Sequence, residues 1–106
     1  MRVLFDQGTP APLRHCLAHH EVSTAYERGW ANLKNGELLD AAESSGFLVL
    51  VTTDTNLKYQ QNLAARRIAV VVLSTTSWPR IQGSLREIVG VVDAAVEGGY
   101  VEVRIP

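Results

Sequence analysis

Residues Phe47–Asn56 have the sequence FLVLVTTDTN, and this stretch decides the fold. It opens as an unbroken apolar run rich in β-branched residues, which is typical of a strand buried on both faces in a parallel sheet. The run then ends in hydroxyls, the carboxylate of Asp54 and the amide of Asn56. Because ligands bind beyond the carboxyl ends of strands in open α/β sheets, we expect Asp54 to stand at a functional edge.

The N-terminal segment repeats this pattern, because Val3–Phe5 leads directly into Asp6. We therefore expect two apolar strands that each carry an aspartate at the carboxyl end. If the two strands are neighbours, the carboxylates of Asp6 and Asp54 can approach within a few ångströms. Carboxylates this close repel one another unless one is protonated or a cation lies between them.

An acidic site of this kind suits Mg²⁺ or Mn²⁺, which prefer oxygen ligands and accept one or two carboxylates completed by water and phosphate. Glu37 or Asp40, near the start of a predicted helix, could supply a third carboxylate, and Asn56 could hold a water of the cation. Such a site polarises a phosphoryl group and generates a hydroxide nucleophile, as in metal-dependent nucleases. The alternative is structural: Asp54 caps the following helix, and Glu37 favours the helix dipole.

The rest of the chain alternates strand-like and helix-like segments, which predicts a mostly parallel sheet with helices on both faces. Strands are expected at residues 2–5, 21–25, 48–51, 69–73 and 100–105. Helices are expected at residues 12–20, 36–45, 56–67 and 78–97, with Asn35 as the cap of the second helix. The last strand alternates apolar and polar residues, as an edge strand does. We see no linker or repeat, so residues 1–106 are expected to form a single domain.

The overall composition limits the possible functions. With 106 residues, of which 46% are hydrophobic, the chain can build one domain with its own core. A net charge of -1 gives no general attraction to nucleic acid, so RNA binding would need a local patch or metal ions. The single cysteine, Cys16, cannot form an internal disulfide. Because neither a signal peptide nor an apolar stretch of membrane-spanning length is visible, we expect a cytoplasmic protein without membrane contact.

A second group of possible metal ligands contains His15, Cys16, His19 and His20. His15 and His19 are one helical turn apart, a spacing that zinc sites use. A zinc site would need a further ligand. The metalloprotease pattern would also need a glutamate directly after the first histidine, where Cys16 stands.

Three segments together resemble a known family: Arg2–Asp6, Gly36–Leu39, and Val49–Asp54 followed by Asn56 and Leu57. Over most of its length the chain resembles the short PIN-like domains found in bacterial toxin–antitoxin operons. The resemblance implies a three-layer α/β/α sandwich with a mostly parallel central sheet. It also implies a ribonuclease in which Asp6, Glu37 and Asp54 bind Mg²⁺ or Mn²⁺ and Asn56 orients water or phosphate.

The chain departs from the family pattern at two places. Typical members follow the first aspartate with Glu-Asn, where this chain has Gln7-Gly8. PIN nucleases also add a fourth acid, whereas the strand ending at Leu73 is followed by Ser74-Thr75-Thr76. Asn56 or Asp40 can substitute for that acid, or the site binds metal weakly.

Three functions therefore stay open at the level of sequence. The first is a metal-dependent ribonuclease that acts as a toxin and is neutralised by a small antitoxin protein. The second is a PIN-like module that binds RNA or a partner protein without cleaving. The third is a homodimer built through the apolar helix at residues 78–97 and Trp78.

Overall fold

The computed structural model describes the whole chain, Met1–Pro106, as an α/β fold built on one five-stranded sheet. The strands are β1 (Arg2–Phe5), β2 (Glu21–Thr24), β3 (Val49–Thr52), β4 (Ala69–Leu73) and β5 (Tyr100–Val103). Their spatial order is β2-β1-β3-β4-β5, and all four neighbouring pairs are parallel. The predicted parallel sheet is confirmed, and β5 lies at its edge as the alternating sequence indicated.

Each face of the sheet packs against its own hydrophobic core. Val3 and Phe5 face one core and Leu4 faces the other, because successive strand side chains point to opposite faces. The first face is covered by a 3₁₀ helix (Ala11–Leu17), α3 (Trp78–Gln82) and α4 (Leu85–Asp93). The second face is covered by α1 (Asn35–Ser44), α2 (Leu57–Gln60) and a second 3₁₀ helix (Leu63–Ala65). None of these helices has the length and apolar character needed to cross a membrane.

The strand order reverses between β1 and β3. The segment that leaves β1 covers the first face of the sheet, whereas the segment that leaves β3 covers the second. The chain therefore diverges on either side of the crevice at the carboxyl ends of these two strands. In open α/β sheets this reversal point is where ligands bind.

Three of the predicted helices were wrong in extent. The helix predicted at 12–20 is a 3₁₀ helix, Ala11–Leu17. The helix predicted at 56–67 is reduced to α2 and the short 3₁₀ helix, because the backbone is extended at Gln61. The amide side chains of this segment compete for backbone hydrogen bonds and so favour turns over a continuous helix.

The third wrong extent is the helix predicted at 78–97. It is interrupted between α3 and α4 at Gly83 and Ser84, and it ends at Asp93. Glycine is a weak helix former, and Ser84 has a φ of -126°, outside the helical range.

Helix α1 begins one residue earlier than predicted. Lys34 occupies the cap position with extended backbone, so the prediction that Asn35 is the cap was wrong. Asn35 is the first helical residue, and its side chain bonds to residues beyond the helix. Gly46, with a φ of 83°, follows the helix and stops it as predicted.

The inner face of α4 can be tested through Ile88, whose side chain is fully buried in the first core. We expect Ile88→Ala to lower the free energy of unfolding by about 2–5 kcal/mol, because it removes buried methyl groups and leaves a cavity. Urea denaturation followed by circular dichroism measures this loss. Val96→Ala is the control: the Val96 side chain is 68% exposed, so a change below about 0.5 kcal/mol is expected. Equal losses in the two variants would contradict the packing of α4.

Candidate functional site

The pairing of β1 with β3 brings Asp6 and Asp54 to the same end of the sheet, just beyond the carboxyl ends of the two strands. Leu4 pairs with Leu50 and Phe5 with Val51 in this parallel register. The N–H of Asp6 donates to the carbonyl oxygen of Val51 at 3.1 Å, so Asp6 continues the register beside Thr52. The condition on which the acidic site depended, that the two strands are neighbours, is therefore met.

Thr52 joins the two aspartates through one hydroxyl. Its side chain is almost fully buried, and its Oγ1 donates to Oδ2 of Asp6. The same oxygen accepts the N–H of Asp54 at 3.0 Å. Sequence reasoning did not assign this role to Thr52. The available signal was a hydroxyl at the end of an otherwise apolar, β-branched run.

Thr9 holds the other side of Asp6, and Gly8 lies close to Thr53 in the same turn. The Thr9 hydroxyl lies 2.7 Å from Oδ1 of Asp6 and 2.9 Å from the carbonyl oxygen of Val51, and its single proton serves one acceptor at a time. A Cβ at Gly8 would lie 2.6 Å from Oγ1 of Thr53, closer than atoms can pack. A larger residue at position 8 would therefore require the Thr53 side chain to move.

Asp54 is fixed by a turn on one side and by α1 on the other. Its Oδ1 accepts the N–H of Asn56 at 2.9 Å, which makes a tight turn just before α2. Its Oδ2 accepts a hydrogen bond of 2.9 Å from the side-chain amide of Asn35. That amide also donates to Oε1 of Gln60 at 2.9 Å. The alternative that Asp54 caps α2 was wrong, because the cap residue is Asn56 and no side chain caps that helix. The Asp54 carboxylate instead closes the turn before the helix and is held beyond the carboxyl end of β3.

The remaining predicted site residues lie apart from this pair. Glu37 is exposed, and its carboxylate accepts the backbone N–H of Lys34 at 3.1 Å. Asp40 pairs with Arg66 at 2.8 Å. Asn56 is exposed and contacts Asp54 through its backbone N–H. The donor atoms of Asp6, Glu37 and Asp54 do not form a group within 4.8 Å of one another.

No acid takes the fourth position beyond β4. Oγ of Ser74 accepts the N–H of Ile105 at 2.8 Å, and Oγ1 of Thr75 accepts the N–H of Ser77 at 3.1 Å. These hydroxyls fix the loops at the carboxyl edge. The substitution of Asp40 for a missing acid would require Asp40 to leave Arg66.

A cleft of about 440 Å³ opens beside Asp6. Its lining includes Thr24, the last residue of β2, Thr76, which follows β4, and the exposed ring of Tyr26. The Tyr26 side chain is 78% exposed. An aromatic face and several hydroxyls therefore stand next to one of the two carboxylates.

Glu27 anchors the loop that carries Tyr26. Its carboxylate accepts two hydrogen bonds from Arg14, at 2.8 and 3.1 Å, and one of 2.8 Å from the N–H of Thr24. The bonds from Arg14, followed by the bond from Thr24, lower the pKa of Glu27 to about 2. Arg14 is therefore engaged as an anchor and is not an unpaired cation beside the cleft.

The chain has no significant match among protein-family models, curated proteins or solved structures.

The bridging role of Thr52 predicts a loss of stability when its hydroxyl is removed. Thr52→Val keeps the shape but leaves the N–H of Asp54 and an oxygen of Asp6 without this partner. We expect the free energy of unfolding to fall by about 1–3 kcal/mol in urea denaturation. Thr55→Val, at an exposed threonine three residues along, is the control and should cost less than about 0.5 kcal/mol. A control as destabilised as Thr52→Val would argue against the bridge.

Proposed function

We propose that the protein is a divalent-metal-dependent ribonuclease whose site lies at the carboxyl ends of β1 and β3. One observation carries the proposal: Asp6 and Asp54 stand on neighbouring strands at the point where the strand order reverses. Ligands bind at such points in open α/β sheets. Two carboxylates held there by hydrogen bonds suit a hard cation and a phosphate better than an apolar ligand.

The oxygen donors at this edge fit Mg²⁺ or Mn²⁺. Each carboxylate oxygen of Asp6 and Asp54 accepts one side-chain or backbone hydrogen bond and keeps a further lone pair. Asp6 and Asp54 would hold the cation, while Thr9, Thr52 and Asn35 keep the two carboxylates oriented. When bound, the cation would supply a Lewis acid for a phosphoryl group.

Glu37 and Asn56 have supporting roles in this proposal. Glu37 lies in the first turn of α1, two residues after the Asn35 that bonds to Asp54. It would become a third ligand by releasing the N–H of Lys34, an exposed contact of modest cost. The exposed amide of Asn56 follows Asp54 in the chain and, in this proposal, would orient water or phosphate.

The cleft beside Asp6 favours a single-stranded nucleic acid as substrate. The exposed ring of Tyr26 offers a face on which a base can stack. The hydroxyls of Thr24 and Thr76 can donate to phosphate or to a ribose hydroxyl. Because the net charge is -1, affinity must come from these local contacts and from the cation.

Membership of the PIN-like family and the role of a toxin are part of the same proposal. They rest on the motifs around Asp6, Glu37 and Asp54, and the parallel sheet with helices on both faces is compatible with a three-layer α/β/α sandwich. In that role a small antitoxin protein would be the partner.

The proposal predicts that cleavage depends on both aspartates and on the cation. In Mn²⁺, we expect the purified protein to cut single-stranded RNA, and EDTA to stop it. Asp6→Asn and Asp54→Asn should each reduce the rate by more than about 100-fold, since changes around metal ligands alone cost roughly 10–100-fold. Gel analysis of a panel of end-labelled RNAs measures the rates.

Glu97→Gln is the control, because Glu97 is exposed near the amino ends of the strands, far from the candidate site. This variant should cleave RNA like the wild type. Cleavage that survives in either aspartate variant would overturn the assignment. Expression in cells extends the test: the wild type should slow growth, and Asp54→Asn should not.

The stacking role of Tyr26 predicts an effect on RNA affinity. In an Asp54→Asn background that does not cleave, we expect Tyr26→Ala to weaken binding by roughly 5–150-fold, which corresponds to about 1–3 kcal/mol of stacking. Tyr26→Phe keeps the ring and should bind nearly as before. Fluorescence anisotropy with a labelled single-stranded RNA measures both. Tyr59→Ala removes a ring that is 77% exposed outside the cleft, and an equal loss there would contradict a specific role for Tyr26.

A second function, a module that binds RNA or a partner protein without cleaving, is favoured by one observation. Asp6, Glu37 and Asp54 do not form a compact three-ligand group, and the Glu37 carboxylate is bonded to the N–H of Lys34, the cap residue of α1. Calorimetry with Mn²⁺ separates the two functions. Absence of heat near millimolar Mn²⁺, together with RNA binding that persists in EDTA, would select the non-cleaving module.

A further inference from the structure

Two histidines and an aspartate lie close together near the amino ends of the strands, at the end of the sheet opposite Asp6 and Asp54. His19 and His20 lie between the first 3₁₀ helix and β2, and Asp93 is the last residue of α4. The Nε2 atom of each histidine lies 2.6 Å from the same oxygen, Oδ1 of Asp93. The three donor atoms all lie within 4.8 Å of one another, and no other group of three such side chains does so.

We propose that His19, His20 and Asp93 form a Zn²⁺ site that fastens the turn before β2 to the end of α4. Zinc is bound by imidazole nitrogens and carboxylate oxygens, and three protein ligands leave a fourth position for water. Imidazole donors select zinc over Mg²⁺ and Mn²⁺, which prefer oxygen. Imidazole ligands thus lie near the amino ends of the strands, and carboxylates alone lie at the carboxyl ends.

The geometry needs only a small adjustment to accept the ion. Ligand atoms of a tetrahedral zinc site are about 3.3 Å apart, given metal–ligand bonds of about 2.0–2.1 Å. The separation here is 2.6 Å from each Nε2 to Oδ1. The side chains of His19 and Asp93 are 54% and 45% exposed, so they can move outward. The His20 side chain is only 7% exposed and provides the fixed ligand.

The electrostatics of the cluster also suit a cation. The carboxylate of Asp93 supplies a negative charge beside the two imidazoles. The carboxyl end of α4 adds the negative end of a helix dipole. One contact opposes binding: the amine of Met1 lies 3.2 Å from Nδ1 of His20. Ligation through Nε2 places the ring proton on Nδ1, so the amine must give up this contact.

Asp93 is the further ligand that the histidine-rich segment lacked in the sequence. It is 73 residues from His20 along the chain, so no local spacing could identify it. Of the other two residues in that segment, His15 is exposed outside the cluster, and Cys16 packs against the first core. His15 therefore serves as a matched control.

The test is calorimetric titration of ZnCl₂ into protein purified without a histidine tag. The wild type should bind one Zn²⁺ at this site, and saturating zinc should raise the Tm by mass action. His19→Ala, a change at an exposed side chain, should weaken binding by more than about 10-fold and remove the shift in Tm. Asp93→Asn should do the same.

Two further variants make the result specific. His15→Ala should bind zinc like the wild type, because His15 lies outside the cluster. Asp54→Asn should also bind like the wild type, which separates this site from the proposed nuclease site. The proposal is overturned if His19→Ala binds as tightly as the wild type, if His15→Ala loses as much affinity, or if zinc leaves the Tm unchanged. An unchanged Tm would mean that hydrogen bonds alone, without a metal ion, hold His19, His20 and Asp93 together.

Discussion

The parallel pairing of β1 with β3 is the constraint on which the candidate site depends. The apolar sequences of the two strands bury both faces, and their register places Leu4 against Leu50 and Phe5 against Val51. Once the register is set, the next residue of each strand is polar, and Asp6 meets the hydroxyl of Thr52. A slip of one residue would turn every side chain of the strand to the other face and separate this pair.

The strand order reverses between β1 and β3, which makes the carboxyl ends of this pair the expected place for a ligand. β2 and β3 lie on opposite sides of β1, and the segments that follow β1 and β3 leave toward opposite faces. Their carboxyl ends stay open, and α1 reaches this opening only with the side chain of Asn35. The site is therefore made by backbone topology and refined by three neutral donors, the hydroxyls of Thr9 and Thr52 and the amide of Asn35.

The sequence predicted the sheet well because buried parallel strands are continuous apolar runs. The strands predicted at residues 2–5 and 69–73 have the bounds found in the structure, and Asp6 and Asp54 lie where their strands end. Helix extents were predicted less well, because Gln61 and Ser84 break apolar periodicities that extend past them. The turn chemistry there overrides the helical pattern.

The contacts of the site lay beyond sequence reasoning for a different reason. Thr9, Thr52 and Asn35 are ordinary polar residues, and only the fold shows which of them meets a carboxylate. The same holds at the amino ends of the strands. There Asp93, at the end of α4, contacts His19 and His20 in the turn before β2. Long-range pairs of this kind follow from topology, whereas local spacing identifies only one member of each pair.

In the proposed ribonuclease, the carboxylates of Asp6 and Asp54 together hold one divalent cation. The most direct measurement is anomalous X-ray diffraction from crystals soaked in Mn²⁺. We predict one anomalous peak between these two carboxylates, and its disappearance in crystals of Asp54→Asn. A data set without a peak at this edge, from crystals soaked at millimolar Mn²⁺, would contradict the claim.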